Sequence, residues 1–163
     1  MKHTLSVLVE NRAGVLSKIT ALFARRGFNI DSLAVGTTIN PDVSCITIVV
    51  DDKDNTVEQI EKQLNKLIDV IKLKNFTPEQ IISRELMLIK VNATGQTRQE
   101  IKELADMYGA KIADITRNSL TIECCNTTER LDNLLEIVRP YGLKQVIRTG
   151  SVALEKGAEQ LSV

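Results

Sequence analysis

The sequence is poor in the side chains from which most active sites are built. It has no tryptophan, and two tyrosines and three phenylalanines bring the aromatics to 3% of 163 residues. Stacking platforms for single-stranded nucleic acid or flat ligands are therefore scarce, and the core must be aliphatic. A single histidine, His3, leaves no convincing metal cluster and no Ser-His-Asp arrangement. Cys45, Cys124 and Cys125 are odd in number, lack C-x-x-C spacing and lie in apolar strand-like runs. They read as small buried core residues, with adjacent Cys124 and Cys125 on opposite faces. Net charge is also lacking: 21 basic residues balance 21 acidic ones, which argues against a phosphate backbone held by bulk electrostatics, and so against nucleic acid. No apolar run approaches the roughly 20 residues that span a bilayer. Met1-Lys-His-Thr4 opens a strand and not a signal peptide, so the reading is a cytoplasmic chain with no membrane partner. The eight glycines are scattered at turns and form neither G-x-G-x-x-G nor G-x-x-x-x-G-K-[ST]. Asp51-Asp-Lys-Asp54 lacks the glycine and distal glutamate of a calcium loop and reads as a solvated turn.

What is present is a strand feeding directly into a helix. Leu5, Val7 and Val9 alternate with polar neighbours at the period of a half-buried strand, with Leu8 adding one apolar side chain to the second face. Leu16, Ile19 and Phe23 then recur at helical spacing beside Val15 and Leu22, and Gly27 stands where a helix-ending residue with positive φ belongs. Asn29 to Thr38 reads as a second strand, Asn40-Pro-Asp42 as a turn and Val43 to Asp51 as a third strand. Asn55 and Glu58 are placed to cap a helix marked by Ile60, Leu64 and Leu67, and Val70 to Asn75 closes a β-α-β-β-α-β unit. Right-handed crossovers put the first and third strands at the centre of the sheet and the second and fourth at its edges.

Residues 77–83, including Thr77-Pro78, read as a linker. The same order then returns. Glu85 to Asn92 is a strand; Thr97 and Glu100 form a capping box; Ile101, Leu104, Ala105 and Tyr108 mark a helix ended by Gly109. Asn92-Ala-Thr-Gly95 echoes Asn11-Arg-Ala-Gly14, and Gly109-Ala-Lys-Ile112 echoes Gly27-Phe-Asn-Ile30. Lys111 to Thr116 and Leu120 to Cys125 make a hairpin, Leu131, Leu134, Leu135 and Val138 a last helix, and Leu143 to Thr149 a closing strand. The fold class is therefore α+β, two tandem ferredoxin-like βαββαβ units over residues 1–76 and 84–163, with Ser151 to Val163 a loosely held tail of the second.

The turn at Asn11 to Gly14 is the one attractive site. Gly14 either merely permits a tight strand-to-helix turn or leaves the amides of the helix's first turn open to a carboxylate. Arg25-Arg26 could meet an anion or simply complement the helix dipole. The strand from Asn29 to Thr38 is an exposed edge carrying Ile30, Leu33 and Val35, and pairing it across a two-fold would bring one protomer's helix start toward its partner's Asn29 and Ile30. A small zwitterion suits that junction, with its carboxylate on the amides of Gly14 to Leu16 and of Asn11 and its ammonium on carbonyls near Asn29 and Ile30. No residues for turnover accompany it.

Asn11-Arg-Ala-Gly-Val-Leu16 and Arg25-Arg-Gly-Phe-Asn-Ile-Asp-Ser-Leu33 resemble the ACT domain, a small amino-acid-sensing module. With Arg84-Glu-Leu-Met-Leu-Ile-Lys-Val91, the whole chain resembles the small regulatory subunits of bacterial acetolactate (acetohydroxyacid) synthase. The resemblance implies a non-catalytic chain that forms a homodimer through its ACT domain, activates the catalytic large subunit and confers feedback inhibition by valine in branched-chain amino acid biosynthesis. It implies thiamine diphosphate, Mg2+ and FAD on the large subunit and no cofactor here. Effector contacts are implied at Asn11, Gly14, Val15 and Leu16 of one protomer and Asn29 and Ile30 of the other, with Ser17 behind them. Some relatives carry an acidic residue where Arg12 stands, which alters the local charge. Lys111 takes the place equivalent to Asn29, so no second effector site is expected. Rival readings are a free-standing tandem ACT sensor of another enzyme or of transcription, and a metal-responsive regulator, which one histidine disfavours.

Overall fold

The computed structural model describes residues 2–51 and 57–163. The chain divides into two compact units, Met1–Ile82 with Ser151–Val163, and Ser83–Gly150. In the first unit β1 (Lys2–Glu10), α1 (Val15–Arg26), β2 (Ser32–Thr37), β3 (Val43–Asp51), α2 (Val57–Leu64) and β4 (Val70–Phe76) follow one another. The antiparallel sheet runs β2-β3-β1-β4, with the central and edge strands that right-handed crossovers require. Register sets Leu5 opposite Ile48 and Val7 opposite Ile46. That puts Leu5, Val7, Ile46 and Ile48 on one face, where Val15, Ile19, Phe23, Ile60 and Leu64 close over them. The core is aliphatic apart from Phe23 and a half-buried Phe28, whose ring meets it edge-on at 6.3 Å.

The second strand begins at Ser32 rather than Asn29. Gly27, in the left-handed region at φ 69°, ends α1 with its N–H donating to Ala24 O, and the Phe28 N–H donates to Phe23 O. Leaving that cap consumes residues 28–31, and pairing with β3 starts only after the Asp31 N–H reaches Val49 O. The cap expected at Asn55 lies outside the described residues, as does most of the acidic turn from Asp51 to Asp54.

The second unit repeats the order: β5 (Ile81–Asn92), α3 (Thr97–Met107), β6 (Lys111–Ile115), β7 (Ser119–Asn126), α4 (Thr128–Val138) and β8 (Leu143–Arg148), in sheet order β6-β7-β5-β8. Met87, Ile89, Val91, Leu120 and Ile122 face Ile101, Leu131 and Leu134 in its own core. Cys124 is buried and its neighbour Cys125 exposed, on opposite faces as strand geometry demands; Cys45 is half-buried. Core placement therefore holds for Cys124 alone.

Residues 77–83, a linker by sequence, are mostly secondary structure. Pro78–Gln80 form a short 3-10 turn, and Ile81 to Ser83 already belong to β5. The tail also departs from the sequence reading, because it groups with the first unit, to which the opening residues of β5, Ile81 and Ile82, also belong. Val152–Glu155 form β9, which pairs with β5. The Ser151 N–H donates to Ser32 Oγ at 2.8 Å, Lys74 Nζ reaches both Glu155 oxygens at 2.6 and 2.7 Å, and Lys72 Nζ donates to Ser162 O at 3.1 Å. These contacts hold 151–163 over the helix-free face of the first sheet. A cavity of about 270 Å³ remains beneath it, lined by Leu8, Cys45, Phe76, Leu154 and Leu161 among others. A sheet with one bare apolar face needs such a cover, and the apolar Leu8 on that face supplied the reason. Among the described residues no helix is long and apolar enough to cross a membrane.

Deleting residues 151–163 is expected to lower the stability of the first unit by about 2–4 kcal/mol, from uncovering Leu8 and Phe76. Urea denaturation would show an earlier midpoint together with increased binding of a hydrophobic dye; unchanged values would show the tail to be superficial.

Candidate functional site

β1 ends at Glu10, and four residues turn the chain into α1. Asn11 fixes the turn from both of its nitrogens: its backbone N–H donates to Asp42 O and its side-chain Nδ2 to Pro41 O, each at 2.8 Å. The turn is thereby tied to the β2–β3 hairpin. Its backbone N–H being taken by Asp42 O, the main-chain amide of Asn11 is not open to a carboxylate in this arrangement; the side chain keeps its second Nδ2 hydrogen and Oδ1.

Gly14 is the residue before the first helical one and sits at φ 87°, ψ −12°. L-residues avoid this region, which accounts for glycine here. A side chain would meet nothing within 4 Å, so the space above the turn is open. Having no side chain, Gly14 cannot cap the helix, and no acidic residue stands in the first turn. The Val15 N–H makes a long 3.4 Å bond to Arg12 O, and among the described residues the amides of Gly14, Leu16 and Ser17 find no acceptor. Three donors and the positive end of a 12-residue helix thus converge on open space. Leu16 is 40% exposed at its edge. Val15 turns its side chain into the core at 5% exposure, so only its backbone belongs to the turn. A neighbouring cleft of about 330 Å³ is bordered by Glu10, Asn11, Arg12, Asp42, Val43 and Ile71.

The charge of Arg12 is absorbed below this surface. Arg12 Nη2 and Lys18 Nζ each lie 2.8 Å from one oxygen of Asp69, and Arg12 also pairs with Glu10. The Asp69 side chain is 8% exposed, and its carbonyl accepts from the Glu10 N–H at 3.0 Å. The hydrogen bond from Lys18, opposed by burial and reinforced by Arg12, holds the Asp69 carboxyl below the usual aspartate range. Asp69 was not legible as a site residue, since its partners stand 51 and 57 positions away.

Asn29 and Ile30 lie beyond the other end of α1. Twelve helical residues span about 18 Å, and one protomer does not bring these two residues to Gly14. Asn29 Nδ2 donates to Asp31 Oδ1 at 3.2 Å, while Ile30 packs against the core. β2 beside them pairs with β3 along one edge and leaves the other open, with Val35 48% exposed.

The corresponding turn of the second unit is built differently. Thr94 Oγ1 accepts from the Thr97 N–H at 3.1 Å, and Thr97 Oγ1 accepts from the Thr94 N–H at 2.8 Å. Two hydroxyls thus occupy the turn that is left bare at Gly14. The capping pair is Thr94–Thr97 and not Thr97–Glu100, because the Glu100 carboxylate instead accepts from the Tyr141 hydroxyl at 2.9 Å. Among the described residues no three metal-ligating side chains gather.

Two family models match the chain: an AHAS small subunit-like ACT domain over residues 5–72 and the small subunit of acetolactate synthase over residues 84–157. The acetolactate synthase small subunit of Mycolicibacterium smegmatis is 50% identical over 155 residues, covering 95% of this chain and 91% of the relative. That of Bacillus subtilis is 42% identical over 161 residues, covering 98% and 94%. The crystal structure of the acetolactate synthase small subunit from Thermotoga maritima superposes with a TM-score of 0.88 at 37% identity, over 98% of this chain and 99% of that one.

Replacing Asp69 by Asn tests the network below the turn. A carboxyl whose folded pKa is lowered contributes stability in full above its ordinary value and loses it as pH falls through the folded one. The wild type is therefore expected to exceed Asp69→Asn in stability at pH 7, with the gap closing below about pH 4. Urea midpoints measured at pH 7, 4 and 3 check this, and a gap independent of pH would refute it.

Proposed function

Because the chain belongs to the acetolactate synthase small-subunit family, we propose that it is the non-catalytic regulatory subunit that activates the large catalytic subunit and makes it sensitive to valine. The observation that carries this reading is the uncapped start of α1 at Gly14, a site able to hold a carboxylate without reacting with it. Valine's carboxylate takes the free amides of Gly14, Leu16 and Ser17, and Leu16 offers its side chain to the isopropyl group. Asn11 positions the turn through the hairpin and presents Oδ1 to the ammonium. Val15 contributes backbone alone.

Asn29 and Ile30 complete the pocket only from a second protomer, since their own Gly14 is a helix length away. Pairing of the open β2 edges across a two-fold supplies that protomer, and a homodimer is thus part of the proposal. Thiamine diphosphate, Mg2+ and FAD belong to the large subunit in this reading. Valine bound across the dimer selects a conformation that holds the large subunit less active, in the service of branched-chain amino acid biosynthesis. A coupling of about 1–3 kcal/mol is sufficient.

Gly14→Asp is the direct test. It forces a left-handed backbone on an L-residue, at a cost of about 1–2 kcal/mol, and it places a carboxylate where it caps the helix from within. Valine inhibition of the reconstituted complex is expected to disappear, with at least a tenfold rise in the valine needed, while activation of the large subunit persists. Full valine sensitivity in the variant would rule the pocket out; failure of the wild-type chain to activate a large subunit would rule out the function.

A further inference from the structure

A second feature of the first unit lies on its helical side. Arg25 and Arg26 at the end of α1 and Lys66 just after α2 border one groove of about 350 Å³, together with Gln63. Leu22 and Leu67 form its floor, the first buried and the second half-buried. None of the three cations has a carboxylate or hydrogen-bond partner among the described residues. The chain carries as many acidic as basic residues, so this grouping is not a by-product of a basic protein. The dipoles of α1 and α2 account for a basic residue at each helix end; they do not account for the meeting of the two ends around one groove with an apolar floor.

We propose that this groove docks an acidic segment of the large catalytic subunit, with an apolar side chain on Leu22 and Leu67 and flanking Asp or Glu carboxylates on Arg25, Arg26 and Lys66. The inference rests on the regulatory-subunit reading and deepens it. Charge complementarity selects the occupant, because guanidinium groups pair carboxylates bidentately and the groove holds three positive charges with no counter-charge among the described residues. A flat apolar partner would leave those cations desolvated and unpaired, which is costly. The arrangement also bears on regulation, since one rigid helix would carry the effector turn at its start and the catalytic subunit at its end.

The test uses the full-length chain and the purified large subunit, with affinity measured by calorimetry in low and high salt. Arg25→Glu, Arg26→Glu and Lys66→Glu combined are expected to weaken association at least tenfold in low salt and to flatten its salt dependence. Arg25→Gln, Arg26→Gln and Lys66→Gln, which remove the charges without reversing them, are expected to give a smaller loss in the same direction. Valine binding by the isolated variants should be unchanged, which separates this groove from the Gly14 turn. Unaltered affinity in the charge-reversed chain would overturn the proposal, as would a changed self-association by ultracentrifugation with an unchanged affinity for the large subunit. If the wild-type chain itself bound no large subunit, the regulatory reading would fall first, a result distinct from either.

Discussion

A helix that begins on a left-handed glycine has no side chain with which to satisfy its own first amides, and the first unit is arranged around that deficit. At the starts of α3 and α4 the chain supplies acceptors itself: the Thr127 hydroxyl accepts from the Arg130 N–H, and Thr94 and Thr97 exchange bonds at the start of α3. At Gly14 the donors are left open while everything beneath them is held still. Asn11 locks the turn to the hairpin, and Asp69 gathers Arg12 and Lys18 under it. An unsatisfied helix start costs stability, and a rigid surround keeps the chain from relieving that cost by collapsing the turn.

The two halves show one supersecondary unit built with two kinds of helix start. Their strand orders coincide and each has its own aliphatic core. Their helix starts diverge through a few small side chains. Two threonines at 94 and 97 close in the second unit what Gly14 leaves open in the first, and Gly95 does not adopt the left-handed conformation of Gly14. Hydroxyls in reach of two amides are enough to make the two helix starts differ.

Periodicity carried most of the fold. Alternation at Leu5, Val7 and Val9 and helical spacing at Ile19 and Phe23 identify elements because burial on one face imposes the pattern on the sequence. Features set by distant contacts left no such trace. β2 starts at Ser32 because the helix cap consumes residues 28–31, and the tail joins the first unit through bonds such as that from Ser151 to Ser32, 119 positions apart. At the site, the bare turn was visible in Asn11 to Gly14 because glycine there is a local signal. The engagement of Asn11 with Pro41 and Asp42, the inward direction of Val15 and the role of Asp69 were not, since each depends on which loop lies opposite.

The tail that closes over the first sheet also sets an order of events during synthesis. Residues 2–82 emerge from the ribosome first, yet the strap that covers their bare face is the last stretch of this sequence to be made. The whole of residues 83–150 must be translated in between, with time to form a core of its own. Throughout that interval Leu8 and Phe76 stand uncovered, and the final closure joins partners as far apart as Lys72 and Ser162, 90 positions along the chain. Contacts of such long sequence separation form slowly. The first unit therefore begins to fold well before its own cover is made, and its bare face stands open to aggregation until residues 151–163 arrive.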